Sequence, residues 1–176
     1  MAEDKTAAYA ATIYKPRHEV YAFWRAWENL PRYARHLKRV EDLGNGRTRW
    51  TTEGPSGDVS WEAETTVDVP NERIAWRTKT EDTDVPHHGE VVFRDAPMDR
   101  GTEVIVNVNY DVPYGIFGEL AARATGNSPE AEIGEAVRRF KSLLECGEIF
   151  VNEGQPSNIV RGDNMPGDPS PKAGLR

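Results

Sequence analysis

Cysteine is nearly absent: Cys146 is the single one among 176 residues. One thiol cannot close an internal disulfide, so nothing favours export to an oxidising compartment. No stretch approaches the roughly 20 apolar residues a membrane-spanning helix needs, and Met1 to Thr6 is polar with no apolar leader core. Excess positive charge is missing too. The formal net charge is −7, which disfavours nucleic acid and anionic membranes as partners. These absences describe a cytoplasmic protein with no integral membrane segment.

Several site types are also lacking. There is no glycine-rich phosphate loop and no Gly-x-Ser-x-Gly elbow. Cys146 falls near a helix C-terminus, which lacks the positive end that activates a thiolate. Histidines number four, and the one adjacent pair is His87-His88. Adjacent residues on a strand point apart, whereas metal sites need converging ligands. A solvated loop is therefore the expectation for this pair, with no metal and no cofactor. The segment Lys79 to His88 is polar, contains Pro86 and reads as a lid over a pocket mouth. The basic cluster Arg32, Arg35, His36, Lys38 and Arg39 reads as a solvated helix edge.

What the chain does have is apolar periodicity and aromatic mass. Hydrophobic residues make up 38%, with five Trp, six Tyr and five Phe. That suffices for one core in one domain. Residues 1–6 read as a flexible end, 7–150 as the domain, and 151–176, rich in Gly, Pro, Ser, Asn and Asp, as a disordered tail. Tyr9, Ala11 and Ile13 alternate as in a strand. Pro16 then opens a helix whose buried stripe is Val20, Phe23, Trp24 and Trp27. Asn29-Leu30-Pro31 breaks that pattern, and a second helical piece is expected over Arg32 to Leu37.

Turn signals follow at Gly44-Asn45-Gly46, Gly54-Pro55-Ser56-Gly57, Pro70-Asn71-Glu72 and Asp95 to Gly101. Short links of this kind join antiparallel strands. Between them, Val59, Trp61, Ala63, Thr65, Val67 and Val69 share one face, with Glu62, Glu64 and Asp68 opposite. Ile74, Trp76 and Thr78 oppose Ala75 and Arg77. Val104, Val106, Val108, Tyr110 and Val112 oppose Ile105, Asn107 and Asn109. A sheet with one covered face needs a helix over it. Gly115 to Thr125 is helical in pattern. Ser128 then caps a longer helix, with Pro129 at its first position and Ile133, Val137, Phe140 and Leu144 on its apolar stripe.

The order is thus strand, two short helices, about six antiparallel strands and a long C-terminal helix. The segments Ala11-Thr12-Ile13 before Pro16, Val20 to Arg25, Glu28 to Tyr33, Glu72 to Arg77, Gly101 to Val104 and Arg138 to Lys141 add sequence detail. Together they resemble the START-like (SRPBCC) superfamily, in its bacterial polyketide cyclase/dehydrase and coenzyme-Q-binding branch. The resemblance implies an α+β helix-grip fold, a curved antiparallel sheet wrapped around the C-terminal helix. It implies binding or carriage of a small hydrophobic molecule: a lipid, a quinone or a polyketide-like compound.

Strand parity then nominates a pocket lining of Trp50, Trp61, Trp76, Phe93, Val106, Val108, Phe140 and Leu144, with Tyr110 as a polar handle. Core filling predicts the same residue types. Because these positions are almost free of titratable groups, no catalytic residue is assigned. Two alternatives stand beside the binder: a cyclase/dehydrase-type enzyme, and an interaction or stress-response module with no ligand. Homo-oligomer assembly is left open.

Overall fold

The computed structural model describes residues 5–54, 56–79, 87–110 and 129–147. Strand β1 (Lys5–Ile13) leads into helix α1 (Arg17–Arg25), a 3-10 turn (Trp27–Asn29) and the short helix α2 (Leu30–Tyr33). Six strands follow: β2 (Arg39–Gly44), β3 (Arg47–Gly54), β4 (Gly57–Val69), β5 (Arg73–Thr78), β6 (His87–Asp95) and β7 (Thr102–Tyr110). Helix α3 (Pro129–Cys146) is the last element among the described residues. The strands form one seven-stranded sheet in the order β1-β7-β6-β5-β4-β3-β2. Every neighbouring pair is antiparallel, as short connections require.

Local chemistry explains the boundaries. Pro16 sits at the N-cap of α1 with φ −59°, a value its ring enforces. Pro31 lies in the first turn of α2. A proline there removes no helical hydrogen bond, so α2 begins at Leu30, earlier than the expected Arg32, and ends at Tyr33. Asn45 and Gly46 both take positive φ, 54° and 73°, as the expected type I′ hairpin demands.

Helix α3 packs along β1 and against α2. Gly134 permits the close approach, because a Cβ there would stand 3.1 Å from Cε2 of Tyr9. Val137 and Phe140 are fully buried, whereas Ile133 and Leu144 are half-buried. The core lies between the inner sheet face and the helices. The expected helix Gly115 to Thr125, the Ser128 cap and the 151–176 tail lie outside the described residues.

One strand departs from simple alternation. The β4–β5 register shifts between Thr65 and Val67. A bulge inserts one residue, and one residue inverts which face every later side chain takes. Val69, expected inside, is 41% exposed. Asp68, expected outside, turns toward α1, where Arg25 Nε donates to its Oδ2 at 2.5 Å and the Tyr21 hydroxyl donates to its Oδ1. Partial burial, and after it the bond to Asp68, push the pKa of the Tyr21 hydroxyl up to about 12.

Candidate functional site

The inner face of the sheet carries a row of rings. Trp50 and Trp61 are direct cross-strand partners on β3 and β4, and both are buried. Trp76 on β5 pairs with Gly89 on β6. Its centroid is 6.3 Å from that of Trp50. Trp27 descends from the 3-10 turn, 5.8 Å from both Trp50 and Trp76. Such spacings are those of favourable aromatic pairs.

Gly89 makes this arrangement possible. A Cβ on it would lie 2.5 Å from Cζ2 of Trp76 and 2.9 Å from Cη2, so the indole rests directly on the bare backbone. Gly89→Ala is expected to push the indole off this seat. The overpacking cost is about 1–3 kcal/mol, read by urea unfolding, together with a shift in tryptophan emission. Unchanged stability and emission would show that the indole is not seated there.

Between this ring floor and the helices lies a cavity of about 80 Å³ with an almost wholly apolar lining. Of the nine residues singled out by parity, Trp50, Trp76, Val106 and Val108 line it. Trp61, Phe93 and Phe140 are buried beside it, and Leu144 is half-buried. Phe140 packs instead against Trp24 and Tyr33, both at 5.0 Å. The backbone of Tyr110 pairs with that of His87 at the end of β7; its side chain lies outside the described residues.

The helices supply the rest of the wall. Trp24, Trp27, Leu30 and Tyr33 close it from above, and Ile133, Ala136 and Val137 from α3. Parity arguments on strands could not reach these positions. The stripe Val20, Phe23, Trp24 and Trp27 did mark two of them as buried.

Two expectations about histidine are corrected. His87 is not in a solvated loop. It is 4% exposed on β6, with its ring 5.7 Å from Trp50 and 6.0 Å from Trp61. Its backbone N–H donates to Thr78 Oγ1 at 3.0 Å. The alternation His87, Gly89, Val91, Phe93 carried this signal, since all four are buried. His88 points the other way and is exposed, 2.8 Å from Asn109 Nδ2. Residues 80–86 of the expected lid lie outside the described residues.

His36 likewise leaves the solvated basic edge. Its Nδ1 is buried, its ring borders the cavity, and its carbonyl accepts a hydrogen bond from Thr52. Burial pulls its pKa from 6.5 down to about 4, opposed by the charge of Glu132. The lining therefore holds two imidazoles and the Tyr33 phenol, and is less poor in titratable groups than strand parity implied. Among the described residues no cluster of ligands suited to a metal ion is found.

A larger recess of about 550 Å³ opens at the other end of the molecule, around Tyr14, Arg17, Asp95 and Arg100. It is wide open, with a lining about half polar and half apolar and with Arg17 and Asp95 paired at 3.3 Å. Nothing apolar is enclosed there, so the smaller cavity is the better candidate.

Known proteins share this design. A crystal structure from Deinococcus radiodurans is 39% identical, with a TM-score of 0.66, over 82% of this chain and 100% of that one. An uncharacterized 17.2 kDa protein of Streptomyces lincolnensis is 27% identical over 148 residues, 84% of this chain and 90% of that protein. A Streptomyces aromatase/cyclase matches in fold, with a TM-score of 0.52 at 17% identity over 78% of this chain and 96% of its own. No helix among the described residues is long and apolar enough to cross a membrane. The family of polyketide cyclases/dehydrases and lipid transport proteins matches residues 13–138, and with its START-like helix-grip sheet this chain belongs to that family.

Proposed function

We propose that this protein binds a small apolar, ring-bearing molecule between the sheet and α3. The observation that carries this reading is the apolar cavity walled by Trp27, Trp50 and Trp76. Indole faces grip a flat ring by offset stacking. At about 80 Å³ the cavity is well below the roughly 300–1,000 Å³ of sites for drug-sized ligands. A one-ring ligand is closest to its present size, and a larger quinone or polyketide-like molecule requires the walls to part. The half-buried Ile133 and Ala136 on α3 stand where that movement costs least.

A second reading is favoured by a separate observation. His36, kept neutral by burial, and Tyr33 and His87 all border the same cavity. A neutral imidazole beside a bound carbonyl compound can take up a proton, as a dehydrase or cyclase needs. Both readings share the site and differ in what happens after binding.

Tryptophan emission tests the shared part. Adding a flat quinone or polyphenol to the full-length protein is expected to quench it saturably. Val108→Phe, which places a ring in the cavity, is expected to weaken the effect about tenfold, equivalent to about 1.4 kcal/mol. Trp61→Ala should matter less, because Trp61 stands behind Trp50 and does not line the cavity. Quenching that never saturates, or that survives Val108→Phe unchanged, would favour a domain with a filled core acting through its surface. Turnover of the bound compound, lost in His36→Phe, would select the enzyme.

A further inference from the structure

The cavity wall is apolar except for a few polar atoms, and these are not satisfied alike. Trp50 Nε1 donates to Thr48 Oγ1 at 2.8 Å. Trp24 Nε1, Tyr33 OH and Trp76 Nε1 are buried with no hydrogen-bond partner among the described residues. Their residues are only 5%, 1% and 6% exposed, and all three line the cavity. Buried donors without partners are rare, and each weakens a fold that retains it. Phenylalanine would fill much of the same space without that penalty. Three such donors around one cavity point to a ligand that completes them.

The geometry points to a donor subsite: we propose that Trp24, Tyr33 and Trp76 select ligands that carry an uncharged hydrogen-bond-acceptor oxygen on an apolar ring. This rests on the pocket reading above and names the ligand's chemistry. An indole N–H donates and cannot accept, so a ligand offering only donors finds no partner at Trp24 or Trp76. An ionised carboxylate is excluded by a different cost. Its burial needs a paired cation, and the described lining holds no Lys or Arg. A ketone, ester or lactone oxygen meets both conditions. Trp24 and Tyr33 are neighbours, 5.6 Å between ring centroids, and come from the helical layer. Trp76 comes from the sheet. A ligand is therefore read from both layers. Burial holds the Tyr33 hydroxyl protonated far above its ordinary range, so its proton remains available to an acceptor at any physiological pH.

The test compares indane with 1-indanone, which differ essentially by one carbonyl oxygen. Full-length ¹⁵N-labelled protein is titrated with each, and the five tryptophan indole N–H signals are followed. 1-Indanone is expected to bind about tenfold more tightly than indane, the worth of one good buried hydrogen bond. The Trp24 or Trp76 indole N–H should move downfield with the ketone alone. Replacing all three donors, Trp24→Phe with Tyr33→Phe and Trp76→Phe, should bring the ketone-to-indane affinity ratio to about one. Within that variant the two compounds are compared with each other, so any loss of stacking area falls on both, and a dispersed amide spectrum reports that the protein is still folded. Equal affinities in the wild type, or a ketone preference that survives all three replacements, would overturn the donor subsite and leave the apolar pocket standing. Failure of both compounds to bind would remove the pocket reading and this inference together.

Discussion

Replacing Phe140 by alanine is expected to lower the unfolding free energy by about 3–5 kcal/mol, the range for a large ring removed from packed core. Phe140 is 0% exposed. Its ring meets Phe23, Trp24 and Tyr33 at 5.8, 5.0 and 5.0 Å, so it joins α3 to both N-terminal helices. Phe140 does not itself line the cavity, so its removal opens a new void in packed core. Urea unfolding of wild type and variant measures it. A loss under about 1 kcal/mol, the scale of an ordinary surface or minor change, would mean that α3 is not held through this ring.

Acidification is expected to produce the second large effect, through His36. Its pKa is lowered from 6.5 to about 4 by burial. The unfolded chain therefore takes up a proton near pH 6.5 that the folded chain refuses until near pH 4. Stability from the neutral buried ring is complete above pH 6.5 and declines as pH falls toward 4. A tenfold weakening of proton affinity on folding corresponds to about 1.4 kcal/mol. Since the residue is only half-buried, solvent screens part of the effect, and the expected loss is about 1–3 kcal/mol. Carboxylates titrate in part of the same window, so the comparison that matters is with His36→Phe. That variant should lose this component of the slope between pH 6.5 and pH 4. Parallel stability curves for the two proteins would show that the ring is not held neutral.

Much of the architecture was legible because it is written in local periodicity. The stripe that includes Val137 and Phe140 repeats as a helix must, and α3 runs Pro129–Cys146, starting at the proline expected in its first position. Asn45-Gly46 encodes its own turn, and alternation along β7 places Val104, Val106 and Val108 inside. Where local pattern misled, a specific event intervened. Alternation extended through β4 put Val69 inside and Asp68 outside. The bulge after Thr65 reversed both, and no residue near it, such as a glycine, signals the extra position.

The sequence by itself determined the type and order of the elements, the antiparallel pairing and the aromatic floor of the sheet, because each depends on residues within one strand, helix or turn. Only the tertiary structure decided what the cavity contains. His36 leaves a run of basic residues because the segment carrying it is bonded to β3, where Thr52 donates to its carbonyl and the Thr51 carbonyl accepts from Lys38 N–H. The seat of Trp76 on Gly89 joins two strands through one cross-strand pair. The donors of Trp24, Tyr33 and Trp76, unmatched among the described residues, become visible only when the side chains of several elements are placed around them. Such properties arise from convergence of residues far apart in the chain, and periodicity within one element carries no information about that convergence.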